Sequence, residues 1–150
     1  MKLSAVALFF MICFSAKAEE QVRVYGFFGI GCSISDSNRP AWSLLSKRAD
    51  ARFETVDVSL DPEKPKVMSE AAKEILRRTK DRTAPMFVVV EKGGQIIYEG
   101  SFGENPRRPG VGIQNLEEVL NAVRDGRKPT LGATRPKGCE IPRSVYEKKK

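Results

Sequence analysis

Two cysteines carry the chemistry this chain can offer. Cys32 follows Phe27-Phe28-Gly29-Ile30-Gly31, where an apolar strand runs into a glycine-loosened turn. Residues 33–35 read as the start of a helix, which places Cys32 at its N-terminus. A helix start presents unpaired N–H groups and the positive end of the macrodipole, and both favour a thiolate over a thiol. Cys32 is therefore a candidate nucleophile, set against the plainer reading of a buried structural cysteine. Cys139 stands near the C-terminus, among Arg135, Lys137 and Arg143.

The third cysteine, Cys13, falls in a segment expected to be removed. Lys2 is a short basic region, residues 3–14 are apolar, and Ala16-Lys17-Ala18 fits an A-x-A cleavage site. This pattern reads as a secretory signal peptide over residues 1–18. Ile12 before Cys13 argues against a lipoprotein signal, and no other apolar stretch is long enough to span a bilayer. Export to a periplasmic or extracellular space is expected. An even pair of cysteines in an exported chain suits an oxidising compartment and a disulfide.

The chain of 150 residues contains no histidine. That excludes Ser-His-Asp and Cys-His catalytic pairs and any histidine-ligated metal. Two cysteines alone make a poor zinc site, so no metal or cofactor is expected. The whole chain has a net charge of +7. Without residues 1–18 it keeps 24 Lys and Arg against 19 Asp and Glu, a net +5. Residues 124–150 hold nine basic and three acidic side chains, so the rest is nearly neutral. A basic tail can bind nucleic acid or acidic lipid. Export and the lack of interleaved aromatics argue against nucleic acid. A solvated tail ending in Lys148-Lys149-Lys150 is the simpler reading.

The elements that must position the cysteines follow from the apolar pattern. Residues 21–28 and 52–58 read as strands, and residues 40–49 as helix continuing from the start at 33–35, with a kink at Pro40. Residues 66–79 carry Val67, Met68, Ala71, Ala72, Ile75 and Leu76 at helical spacing. The unbroken run Met86-Phe87-Val88-Val89-Val90 after Pro85 suits a central strand buried on both faces. Gly93-Gly94 marks a hairpin, and residues 95–99 the returning strand. Residues 101–112 form a Gly/Pro-rich loop in which Phe102 could cover the active end and Arg107-Arg108 are solvated. Asn115 can cap a last helix with Glu118 three residues on, and Gly126 ends it. Trp42, Phe27, Phe28, Phe53 and Phe87 are core candidates. Asp57 is either a proton-transfer carboxylate or a solvent-facing strand residue.

The domain is expected to run over residues 19–126, as an α/β unit with a mixed sheet of four to five strands and helices on both faces. The β-α-β-α-β order implies parallel pairing of its first three strands. Residues 127–150 show no periodicity and read as an extended basic tail carrying Cys139. A monomer is expected.

With this order the chain resembles the thioredoxin-fold superfamily over residues 21–125. Cys32 opens the first helix, as that family's nucleophile does, and Pro40 falls eight residues later, at the spacing of its helix-kinking proline. Thr83-Ala84-Pro85 resembles the cis-proline segment before the third core strand. Gly31-Cys32-Ser33-Ile34-Ser35 and Gly138-Cys139-Glu140-Ile141-Pro142-Arg143 are similar to motifs of exported bacterial redoxin-domain proteins, "C-P-I-S" and "G-C-x-I-K-R". Ser33 replaces the proline and Pro142 the lysine.

The departures bear on mechanism. The motif is C-x-x-S, so Ser35 stands where thioredoxin has its resolving cysteine. Gly29 stands where peroxiredoxins carry Thr or Ser. Three readings stay open. In the first, Cys32 attacks a protein disulfide or a peroxide, and Cys139 resolves the product to a Cys32–Cys139 disulfide. Arg135, Lys137 and Arg143 would then lower the thiol pKa values. Ser35 would donate to the thiolate or be an exposed helix serine, and a cis Pro85 would present backbone to a substrate strand. The partners are a protein thiol or disulfide and a reductant or oxidant. In the second, the bridge is structural. In the third, the domain is a binding module without turnover.

Overall fold

The structure is a computed structural model that describes residues 21–64, 66–101 and 114–147. The signal-peptide reading, Pro65, the loop with Phe102 and Arg107-Arg108, and the three terminal lysines lie outside the described residues.

The element order is β1 (Val22–Gly29), α1 (Ser33–Leu45), β2 (Ala51–Val58), α2 (Glu70–Arg78), β3 (Thr83–Ala84), β4 (Met86–Val90), β5 (Ile96–Gly100), α3 (Gln114–Arg124) and β6 (Cys139–Glu140), then a 3-10 turn at Arg143–Val145. The main sheet has the order β2-β1-β4-β5, and β3 pairs with β6 in a separate two-stranded ribbon.

β1 is flanked on both sides, which accounts for its continuous apolar end: six of its eight residues in a row are buried. β1 and β2 are parallel, with Val22 opposite Ala51 and Gly29 opposite Val58. β4 is buried throughout and central, as the unbroken apolar run requires. It runs antiparallel to β1, however, with Phe27 opposite Met86. The expected third parallel strand is thus corrected. The connection after β2 re-enters the sheet at the end it left, and hydrophobic periodicity carries no information on strand direction.

Helix boundaries moved for local reasons. α2 begins at Glu70 rather than residue 66, because Ser69 caps it by accepting a hydrogen bond from Ala72 N–H at 3.1 Å. Val67 is left 93% exposed. α1 stops at Leu45, short of residue 49, with Pro40 inside it. Asn115 is not a cap, since α3 already includes Gln114. Gly126 does end α3, in a left-handed conformation (φ 67°), with Arg127 N–H reaching Ala122 C=O at 2.8 Å.

Two cores sandwich the sheet. One joins α1 and α3 to the sheet through Trp42, Phe28, Phe87, Leu45, Leu116 and Leu120. Gly26 is required there, because a Cβ would meet the Trp42 ring at 2.8 Å. Trp42 is further fixed by edge contacts to Phe28 and Phe53 and by its Nε1–H donating to Thr55 Oγ1 at 2.8 Å. The other core packs α2 on Tyr25, Phe27, Val58, Met86 and Val88.

The second core also takes Ile141, Val145 and Tyr146. The segment after α3 is therefore not a loose tail. It first follows β5, where Thr134 N–H donates to Glu99 C=O at 2.9 Å and Thr134 Oγ1 accepts from Ser101 N–H at 3.1 Å. It then pairs with β3 and ends against α2. There Arg77 donates to Tyr146 C=O at 2.7 Å, and the Arg82 guanidinium lies 5.0 Å from the Tyr146 ring centre.

Candidate functional site

The C-terminal end of β1 delivers Cys32 to the N-cap of α1, with extended backbone (φ −92°, ψ 110°). Gly31 makes the turn possible by taking a left-handed conformation (φ 78°) that side chains disfavour. Cys32 C=O accepts the first helical bond, from Asp36 N–H at 3.0 Å. Cys32 N–H is taken by Gly29 C=O at 3.2 Å, and the Cys32 side chain stands at the start of a 13-residue helix without capping any of its N–H groups.

Cys32 is disulfide-bonded to Cys139, 107 positions away, with the Cα atoms 6.3 Å apart. The partner arrives on β6, where Ala84 lies opposite Cys139 and Thr83 opposite Glu140. The Ala84–Pro85 peptide is cis. The Cys32 sulfur sits 3.6 Å from the Ala84 carbonyl oxygen. Gly138 allows this approach, since a Cβ there would overlap that same oxygen. Past the cysteine, Ile141 N–H donates to Arg82 C=O at 2.9 Å.

Burial divides the two sulfurs' surroundings. Cys32 is 1% exposed, while Cys139 is half-buried between exposed Gly138 and Glu140. Arg135, Lys137 and Arg143 are all exposed.

Ser35 is not an exposed helix serine. It is fully buried, and its oxygen accepts a hydrogen bond from Gly29 N–H at 2.9 Å, bracing the end of β1 against α1. Gly29 itself is crowded, since a Cβ would meet Leu60 at 2.9 Å and Cys32 Cβ at 3.1 Å. A threonine or serine in that position would have to displace both neighbours.

Asp57 is held in ion pairs, not poised for proton transfer. Burial raises its carboxyl pKa, but Arg39 at 2.7 Å and Lys66 at 3.1 Å outweigh this and leave it below the usual carboxylate range. The folded value lies below the unfolded one, so the stabilisation is fully present above about pH 4 and fades as pH falls through the lowered value. Asp57→Asn should cost less than about 1 kcal/mol at pH 7, the side chain being partly solvated, and should flatten the acid limb of stability. Urea unfolding between pH 2 and 7 measures both.

The sequence singles out Cys32, Cys139, Ser35 and Pro85; the structure brings Cys32, Cys139 and the Pro85 segment together, while Ser35 meets Gly29 N–H. Sequence reasoning missed Gly138, the Ala84 carbonyl and the anchors Ile141, Val145 and Tyr146. The signal was present: three apolar residues at i, i+4 and i+5 inside an otherwise basic segment.

No known protein-family model and no curated protein matches the chain. Among solved structures, it is similar to a hypothetical protein from Sinorhizobium meliloti at a TM-score of 0.60, with 17% identity over 81% of this chain and 79% of that one. An uncharacterized conserved protein from Geobacillus kaustophilus aligns at 0.54, with 16% identity over 81% and 77%. A Schistosoma mansoni thioredoxin aligns at 0.45, with 20% identity over 69% and 81%. The fold is thioredoxin-like: a β1-α1-β2 parallel unit, a hairpin antiparallel to it, and a cis-proline before the central strand. Among the described residues no cluster of metal-ligating side chains occurs, and no helix is long and apolar enough to cross a membrane.

Proposed function

We propose that this chain is an exported thiol–disulfide exchange protein whose working group is the Cys32–Cys139 pair. The observation that carries the reading is the bridge's position, at the N-cap of a 13-residue helix and against the cis Ala84–Pro85 segment. A helix N-terminus favours a thiolate, so the position suits a cysteine that is released when the bridge opens. β6 holds Cys139 within bonding reach, which supplies the second thiol that C-x-x-S lacks. The partner is a protein thiol or disulfide, handled by a monomeric domain after removal of residues 1–18. A peroxidase reading has less support, because Gly29 offers no hydroxyl and no space for one.

A second reading is supported by the burial of Cys32 and the anchoring of residues 141–146, namely a structural bridge in a binding module. The test uses the oxidised protein and an equimolar reduced peptide with two cysteines. Exchange oxidises the peptide to its disulfide and leaves Cys32 and Cys139 as thiols. The expected result is peptide oxidation by the wild type and none by Cys32→Ser or Cys139→Ser. A peptide that stays reduced beside a native, intact bridge supports the structural reading instead.

A further inference from the structure

Resting on the exchange reading, we infer that Cys139 is the sulfur an incoming thiolate attacks, and that Cys32 is the leaving group. Thiol–disulfide exchange is set by access to the attacked sulfur and by the stability of the thiolate expelled. Access selects the direction here.

Access separates the two halves of the bridge. Cys32 is 1% exposed. It is walled in by the Ala84 carbonyl 3.6 Å from its sulfur, by Gly29 behind its Cβ and by β6 itself. An attacking thiolate must come in line with the S–S bond, and for Cys32 that line is closed. Cys139 is half-buried on an edge ribbon, with exposed residues on either side.

The thiolate expelled is the one at the helix start. Cys32 is the N-cap of α1, where the positive end of the helix dipole favours it, while burial opposes it. These two effects oppose one another, so access decides the direction.

The step balances without a further reagent. A partner thiolate bonds to Cys139 Sγ, the Cys32–Cys139 bond breaks, and its electron pair leaves on Cys32 Sγ. The second thiolate of a dithiol partner then attacks the partner's own sulfur in the mixed disulfide and expels Cys139. The partner departs oxidised and the chain holds two thiols. In the reverse direction Cys139 attacks the partner's disulfide, and Cys32 closes the bridge. The roles that the resemblance implies for the two cysteines are exchanged.

The test mixes oxidised wild-type protein with reduced glutathione, quenches with acid at a series of short times, alkylates free thiols and maps both cysteines by peptide mass. Extrapolated to zero time, glutathione should sit on Cys139 and the alkyl label on Cys32, at least about tenfold over the opposite arrangement. Glutathione on Cys32 with the label on Cys139 overturns the inference and leaves the exchange reading standing. An absence of any adduct until the protein is unfolded overturns the exchange reading, and the inference falls with it.

Discussion

Cys139→Ala should lower the unfolding free energy by about 4–5 kcal/mol in oxidising buffer, through the loss of a cross-link between positions 107 apart. On the chain-entropy relation a loop of that length is among the most stabilising to close, since the unfolded ensemble loses most freedom. The variant should still fold. Ile141, Val145 and Tyr146 stay in the core beneath α2, and Arg77 still binds Tyr146 C=O. Urea unfolding with and without dithiothreitol separates the contributions. Wild type and variant should differ in oxidising buffer and converge within about 1 kcal/mol when reduced. Equal midpoints in oxidising buffer would mean that the bridge does not form.

Gly138→Ala tests the geometry that lets the bridge form. Its Cβ would overlap the Ala84 carbonyl oxygen, and backbone on both sides is held, by β3–β6 pairing and by the bridge. Neither side can yield cheaply, so β6 must lift from β3. The expected cost is about 2–3 kcal/mol, as for other overpacked sites, together with a fraction of molecules carrying free thiols. Gly132→Ala is the control. It lies on the same segment, but a Cβ there meets nothing within 4 Å. That substitution should be neutral or slightly stabilising. Thiol labelling of both variants under native conditions, alongside urea unfolding, gives the comparison. If Gly138→Ala labels and unfolds like Gly132→Ala, the close approach of β6 to the proline segment is wrong.

The sheet and the first helix were legible because their signals are local. A short unbroken apolar run rich in β-branched residues suits a strand covered on both faces, and Met86–Val90 is one. Gly31 before Cys32, with helical polar residues after it, announces a turn and a cap. Strand direction was not legible, since β4 reads the same way in either orientation. The end of the chain failed for a different reason. Its anchors are Ile141 and the adjacent pair Val145-Tyr146, with Pro142, Arg143 and Ser144 between them, and what holds them is tertiary: Arg82 C=O, the Tyr146 contacts to Arg77 and Arg82, and the β5 edge. No periodicity records such partners. Ser35 shows the same limit on a smaller scale. Its type and spacing fit a thiolate donor, yet only the fold reveals that Gly29 N–H claims its oxygen.

On the proposed function, Cys32 and Cys139 cycle between thiols and disulfide in the native fold. The reduction potential tests it most directly, by native-state thiol labelling after equilibration across a series of thiol redox buffers. A midpoint above about −300 mV is expected, with both cysteines labelled while the protein remains folded. A bridge still intact below about −300 mV, with no label incorporated until denaturation, would contradict the claim and leave the disulfide as a structural clasp.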